Sequence, residues 1–233
     1  MTAILSNLQA TRAAIAQAAK SARRNAAEVR LLAVSKTFPA DAVRDAYSAG
    51  QTAFGENYLQ EALEKIEALH DLPLEWHFIG PIQSNKTRAV AENFAWVHSV
   101  DRLKIAERLS AQRPLRLPPL NVCLQVNVSG EATKSGVAPE EVAQLAQAVM
   151  RLPHLKLRGL MAIPSPATEE TEQRVPFARM KNLLEQLNSQ GMALDTLSMG
   201  MSHDYPAAIK EGATLVRIGT AIFGARNYGG EQE

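Results

Sequence analysis

Short runs rich in β-branched and aromatic residues alternate with helix-like segments along the chain, and this alternation constrains the fold most strongly. The 233-residue sequence contains eight such runs, at 31–35, 52–54, 76–79, 96–98, 120–128, 157–163, 196–199 and 214–218. Strands that alternate with helices pair in parallel through right-handed crossovers, which gives an α/β fold. Eight strand–helix units within about 200 residues predict a closed (β/α)8 TIM barrel. A doubly wound open sheet is the alternative, although no G-x-G-x-x-G motif follows the first run.

Apolar stripes with helical spacing separate the predicted strands. The clearest stripe, at i, i+3, i+4 and i+7, consists of Val142, Leu145, Ala146 and Val149. A stripe that precedes the first run predicts an extra N-terminal helix and consists of Ile4, Leu8, Ile15 and Ala19. We also expect Asp101 to cap a helix and residues 204–211 to form a short helix.

Composition excludes several classes of protein. Twenty-five basic and 24 acidic residues leave a net charge of +1, which provides no electrostatic footprint for nucleic acid or an anionic membrane. The first twenty residues lack a signal-peptide core, and no run of about 18 apolar residues occurs. We therefore expect a single cytoplasmic domain over residues 1–233, a monomer, with no metal site. The single cysteine, Cys123, lies in an apolar run and is predicted to be a buried small hydrophobe.

Lys36 is the strongest candidate functional residue. Barrels carry their chemistry at the C-terminal ends of the strands, and Lys36 follows the apolar run Leu-Leu-Ala-Val-Ser. Partial burial lowers the pKa of an ammonium group, and the neutral amine attacks an aldehyde to form an imine. The alternative is a lysine that extends into solvent at a strand end.

The loops after the seventh and eighth runs have the features of a phosphate site. Gly200 and Gly219 allow backbone N–H groups to approach a phosphate, and Ser202 and Thr220 add hydroxyl donors. Ordinary glycine turns with a serine cap would explain the same residues without a ligand.

Arg217 is the third element of the candidate site. It shares one face of the eighth strand with Gly219, so it points into the barrel if Gly219 faces the mouth. A structural ion pair with an inward carboxylate is the alternative. Together, the lysine, the two phosphate-binding loops and the inward arginine fit pyridoxal 5'-phosphate, with the arginine at the ring nitrogen. An arginine there would keep that nitrogen unprotonated, which weakens the ring as an electron sink.

Six motifs resemble those of the pyridoxal 5'-phosphate homeostasis proteins. They occur in the order of that family and read LAVSKT (32–37), FGEN (54–57), WHFIGPIQSNK (76–86), GLMAIP (159–164), SMGMS (198–202) and VRIGTAIFG (216–224). The similarity extends from about residue 4 to residue 228. It implies a single barrel of the alanine racemase N-terminal-domain type that stores, buffers or delivers the cofactor, with apo-enzymes as possible recipients.

The resemblance also implies roles for individual residues. Lys36 carries the cofactor as a Schiff base, Arg217 faces the ring nitrogen, and the phosphate is held by Ser202, Gly219 and Thr220. Positions around the cofactor pocket, with less defined roles, are matched by Asn57, His77 and Met199. Lys134 matches a family lysine linked to cofactor handling, and its sequence context equally fits a solvated loop charge. His203 stands where many members carry another polar residue, and we assign it no function.

An amino-acid racemase is the main alternative to a non-catalytic carrier. Racemisation needs two acid/base groups on opposite faces of the substrate Cα, and Lys36 could serve one face. Alanine racemases supply the second group from a tyrosine of another domain, which we do not expect in this chain. Tyr58 and Tyr205 are expected nearer the barrel mouth than Tyr47 or Tyr228. An aldolase is disfavoured because the strand ends lack clustered carboxylates and additional lysines.

Overall fold

The computed structural model describes residues 3–131 and 134–225. Eight strands form a closed barrel in chain order, every neighbouring pair is parallel, and β8 closes on β1 with Leu32 opposite Arg217. The strands are β1 Arg30–Val34, β2 Ala53–Glu56, β3 Glu75–Phe78, β4 Trp96–Val100, β5 Leu120–Gln125, β6 Leu155–Met161, β7 Thr196–Ser198 and β8 Leu215–Ile218. The predicted (β/α)8 barrel is confirmed.

Helices connect successive strands on the outside of the barrel. They are α1 Ala3–Ser21, α2 Ala40–Ser48, α3 Leu59–Ala68, α4 Thr87–Asn93, α5 Leu103–Gln112, α6 Val142–Met150, α7 Glu170–Ser189, α8 Tyr205–Lys210 and α9 Thr220–Phe223. The first of these is the predicted extra helix, and α8 occupies the predicted short segment at 204–211. Within the described ranges, no helix is long and apolar enough to cross a membrane.

Each strand differs from its predicted run at one or both ends, β5 by three residues and the others by one or two. Strand β5 ends at Gln125 rather than 128, and only an isolated bridge between Val126 and Val137 continues the pairing. The expectation that Asp101 caps a helix was wrong, because α5 begins at Leu103 and its N-cap is Arg102. The Asp101 carboxylate instead accepts a hydrogen bond from the Arg102 guanidinium.

Three separate sets of buried residues build the core. The largest set lies between strands and helices and includes the predicted stripe of α6, whose four residues are buried. A smaller apolar cluster from β1, β2, β3 and β8 consists of Leu32, Val34, Ala53, Ile79 and Leu215. Cys123 is fully buried against Trp96 and Met161, and burial raises the pKa of its thiol to about 12, so the predicted inert character is confirmed.

Candidate functional site

A cavity of about 200 Å³ opens where strands β1, β2, β3, β6, β7 and β8 end, at the C-terminal mouth of the barrel. Twelve described residues line it: Val34, Lys36, Phe38, Asn57, Ile79, Ile163, Met201, Ser202, His203, Arg217, Gly219 and Thr220. Six of the nine predicted site residues are therefore brought together. The lining includes two basic side chains, Lys36 and Arg217, and no carboxylate, so the cavity suits an anion.

Contacts on the outer face of β1 fix the backbone that carries Lys36. The Ser35 N–H bonds to the Gly55 carbonyl at 3.0 Å. Behind the strand, the buried Lys65 ammonium donates to the Ser35 carbonyl and to the Glu56 carboxylate, both at 2.8 Å. The Ser35 hydroxyl donates to the same carboxylate at 2.6 Å. Because successive side chains alternate faces, this anchoring of Ser35 directs the partly buried Lys36 into the barrel mouth.

The loop after β7 depends on a glycine at position 200. Gly200 has φ +92°, and a Cβ there would lie 2.7 Å from the Ala208 Cβ of α8. The Gly200 carbonyl accepts from the Arg217 N–H at 2.9 Å, and the Asp204 carboxylate accepts from the Met201 N–H at 2.6 Å. These contacts hold the loop that presents Ser202 to the cavity.

The end of β8 approaches β1 closely at Gly219. A Cβ at this position would lie 2.9 Å from the Val34 carbonyl oxygen, so any larger residue would push the two strands apart. Helix α9 starts at the next residue, which places the Thr220 hydroxyl at the cavity.

Arg217 lies at the inner wall of the cavity and is 4% exposed. Its Nη1 donates to the Ser198 carbonyl at 2.6 Å and to the Ser198 hydroxyl at 2.9 Å, and its Nη2 donates to the Ala162 carbonyl at 2.9 Å. Burial lowers its pKa to about 10, which still leaves the guanidinium charged at neutral pH. Neutral oxygens, rather than the inward carboxylate considered above, accept the described hydrogen bonds of Arg217.

Asn57 supplies an observation that points to a ligand. Its Oδ1 atom is buried at the cavity and has no hydrogen-bond partner among the described residues. Buried polar atoms are almost always hydrogen-bonded, and an unsatisfied one requires a specific explanation. A polar ligand in the cavity would satisfy it. This atom, the two basic residues and the two hydroxyls fit a phosphorylated aldehyde with a polar ring.

Three predicted site residues lie outside the cavity lining. His77 is fully buried deeper in the barrel, where it contacts Glu75 and His98. Met199 is buried in the large core between strands and helices. Lys134 lies in the loop after β5, of which residues 132 and 133 are outside the description, and its ammonium donates to the Ser165 hydroxyl at 3.0 Å.

His203 lines the cavity, although we predicted no function for it from the sequence. Its position directly after Ser202 could have predicted this location, because consecutive residues of the loop that follows β7 line the barrel mouth. The two tyrosines expected near the mouth are not lining residues: Tyr58 is half exposed at the start of α3, and Tyr205 begins α8 against the core. Tyr228 lies outside the described residues.

Comparisons with known proteins agree with this geometry. A family model described as alanine racemase, N-terminal domain, matches residues 7–227. A pyridoxal phosphate homeostasis protein of Pseudomonas aeruginosa is 66% identical over 98% of both chains. A protein of the same name from Escherichia coli K12 is 53% identical over 98% of this chain and 99% of its own.

Solved structures show the same architecture. PipY of Synechococcus elongatus, solved with PLP bound, is 40% identical, covers 90% of this chain and 100% of its own, and has a TM-score of 0.79. Alanine racemase of Corynebacterium glutamicum is 19% identical with a TM-score of 0.68, covers 99% of this chain and 63% of its own, and shares the fold. The chain therefore belongs to the alanine racemase N-terminal-domain family and, within it, to the pyridoxal phosphate homeostasis proteins.

Proposed function

We propose that this protein binds pyridoxal 5'-phosphate in the C-terminal cavity and keeps it in a reversible bound form for release to apo-enzymes in the cytoplasm. One observation carries the proposal: Lys36, Ser202, Arg217 and Thr220, which come from β1, β7 and β8 and the loops that follow them, line a single cavity without a carboxylate. The names of the relatives and the PLP-bound PipY structure support the same ligand.

Six of the lining residues have a defined task in this proposal. Lys36 holds the cofactor covalently as a Schiff base, in which its nitrogen replaces the aldehyde oxygen and water leaves. Ser202 and Thr220 donate hydroxyl hydrogen bonds to the phosphate, and Gly219 leaves room for it. Arg217 faces the ring nitrogen, and Asn57 gains a partner for its buried amide. The bound cofactor supplies a reactive aldehyde, which the Schiff base masks.

The same residues argue against amino-acid chemistry. A charged Arg217 disfavours a proton on the ring nitrogen, so the ring gives less stabilisation to a carbanion. Racemisation also needs an acid/base group opposite the lysine, and no tyrosine of the described chain lines the cavity. We therefore propose a carrier rather than a racemase.

Borohydride reduction tests the covalent assignment. Reduction of the loaded protein followed by peptide mass analysis should locate the adduct on the peptide that contains Lys36. Lys36→Ala should yield no adduct while retaining part of its affinity through the phosphate contacts. Lys104→Ala, on the exposed face of α5, is the matched control and should behave as the wild type. An adduct on a peptide without Lys36 would contradict the assignment.

Transfer and turnover distinguish the carrier from the racemase. The loaded protein is mixed with an apo pyridoxal-phosphate enzyme and, separately, with each L-amino acid in deuterated water. Recovery of the apo-enzyme's activity without Cα proton exchange or racemisation supports the carrier. Multiple turnovers per second on any amino acid would establish the racemase alternative instead.

A further inference from the structure

A continuous chain of hydrogen bonds crosses the barrel interior beneath the cavity. His77 Nε2 lies 2.8 Å from Glu75 Oε1, and His77 Nδ1 lies 2.9 Å from His98 Nε2. His98 Nδ1 lies 2.7 Å from Ser198 Oγ, which in turn accepts from Arg217 Nη1 at 2.9 Å. This hydrogen-bonded chain therefore joins the side chains of five residues from β3, β4, β7 and β8.

Topology shows that this chain runs through the interior. Strands β4 and β7 are not neighbours in the sheet, so His98 and Ser198 can meet only inside the barrel. His77, His98 and Ser198 are each fully buried. Glu75 lies at the N-terminal end of β3, where its side chain is 37% exposed and pairs with Arg30, whereas Arg217 lies at the cavity. The chain thus connects the two ends of the barrel.

The carboxylate at one end fixes the direction of every hydrogen bond. Hydrogen bonding from His77 lowers the pKa of Glu75 to about 2, so Glu75 can only accept, and His77 must carry its proton on Nε2. Burial lowers the pKa values of both histidines and keeps them neutral. His77 Nδ1 then accepts from His98 Nε2–H, and His98 Nδ1 accepts from the Ser198 hydroxyl. The reverse direction would require a hydrogen bond donated by the carboxylate.

The direction of these hydrogen bonds determines which part of the Ser198 hydroxyl faces Arg217. The Ser198 hydrogen points to His98, so the Ser198 oxygen presents only lone pairs to the guanidinium. Together with the carbonyls of Ser198 and Ala162, this oxygen gives the guanidinium three acceptors in a fixed arrangement. A hydroxyl free to rotate could instead turn its hydrogen toward the buried cation and weaken the contact.

We propose that Glu75, His77, His98 and Ser198 are positioning residues, a hydrogen-bonded chain of fixed direction that holds Arg217 against the ring nitrogen of the cofactor. The inference rests on the proposed function for its ligand. It assigns a role in cofactor affinity to Glu75, at the opposite end of the barrel from the cavity.

Nitrogen NMR of the ligand-free protein tests the direction alone. Long-range ¹H–¹⁵N spectra at pH 7.5, with the rings assigned through His77→Gln and His98→Gln, should show both histidines neutral with the proton on Nε2. A proton on Nδ1 of either ring, or a charged ring, would overturn the proposed direction. The result does not depend on whether the protein binds pyridoxal phosphate.

Glu75→Gln tests the effect on the cavity. Its amide can donate or accept, so both rings should become tautomer mixtures, and the affinity for pyridoxal phosphate should fall about 10-fold. Glu92→Gln is the matched control, because Glu92 is similarly exposed and pairs with Arg88 on α4 away from the chain. Equal affinity for pyridoxal phosphate in the two variants would overturn the proposal. This holds even if Glu75→Gln melts at a lower temperature, because a loss of stability without a loss of affinity indicates a purely structural role.

Ser198→Ala provides a second variant should Glu75→Gln not fold. It removes one acceptor from Arg217 and should lower the affinity by a similar factor, whereas unchanged affinity would contradict the proposal. Failure of the wild-type protein itself to bind pyridoxal phosphate would refute the proposed function, and with it the role at the ring nitrogen, whatever the tautomers show.

Discussion

The two ends of the barrel both carry basic residues beside a cavity, but they differ in what those residues contact. At the N-terminal end, a cleft of about 360 Å³ is lined by Arg12 and Arg30. Arg12 donates to the carbonyls of Ala49 and Gly50, and Arg30 pairs with Glu75. Neither lining contains a carboxylate among the described residues, but the smaller C-terminal cavity holds a buried Asn57 oxygen without a described partner. Cavity size therefore does not identify the candidate site, whereas the buried Asn57 oxygen points to it.

This difference follows from the geometry of a parallel barrel. Every strand ends at the same mouth, so the loops after the strands gather side chains from distant parts of the sequence there. At the other end, ion pairs such as Arg158–Asp195 join neighbouring strands. We propose that one end is arranged for binding and the other for stability.

Replacement of Lys65 by Met should cause the largest loss of stability. The Glu56–Lys65 pair lies behind the C-terminal end of β1 with both side chains buried, and removal of the cation leaves an uncompensated carboxylate. Broken buried pairs cost about 3–5 kcal/mol. Arg44→Met is the control, and its expected loss is far smaller because both side chains of its pair with Asp71 are exposed. Urea unfolding measures both, and equal losses would break the distinction between the two pairs.

Ser202→Ala and Thr220→Ala should each weaken cofactor binding while the barrel remains folded. Each removes one hydrogen bond to a charged phosphate, worth about 1.5–3 kcal/mol, or about 10- to 150-fold in affinity. Thr52→Ala is the matched control, because Thr52 lines the N-terminal cleft. Titration of the cofactor-free variants measures the affinities. If both C-terminal variants bind like Thr52→Ala, the phosphate does not occupy the proposed position.

Much of this structure could be predicted from local sequence patterns. Alternating strands and helical stripes define the eight units, and the rule that barrel function lies after each strand selects Lys36, Asn57, Ser202, Arg217 and Thr220. These residues lie where the backbone direction alone places them. No knowledge of side-chain packing is needed to find them.

The interior contacts could not be predicted in the same way. His98 and Ser198 are 100 positions apart, and they meet because β4 and β7 face each other across the barrel, a distance that no local pattern encodes. Lys65 occupies a helix position where a lysine normally faces solvent, and only the Glu56 carboxylate behind β1 explains its burial. Asp101 has the residue type of a cap, but its carboxylate is bound to Arg102. In each case the decisive contact is made with a partner that the local sequence does not reveal.

The histidine chain that connects the two ends should make stability depend on pH. Burial lowers the pKa values of His77 and His98 below their ordinary 6.5, so below that pH the unfolded state binds protons that the folded state rejects. Stability is therefore present above pH 6.5 and lost as the pH falls toward the folded-state values. The slope is at most about 1.4 kcal/mol per pH unit for each histidine.

Other charged groups near the histidine chain affect the pH dependence of stability in distinguishable ways. Arg30 and Arg217 face it from β1 and β8. Burial lowers the pKa of Arg217 to about 10, so this guanidinium stays charged between pH 7 and 5. The lowered pKa of Glu75 matters only below about pH 4.5. Glu56 opposes the histidines, because burial raises its pKa and its protonation stabilises the folded state as the pH falls. Urea unfolding between pH 7 and 5 should therefore show a steeper loss of stability in Glu56→Gln than in the wild type, and a flat profile in that variant would contradict two buried neutral histidines.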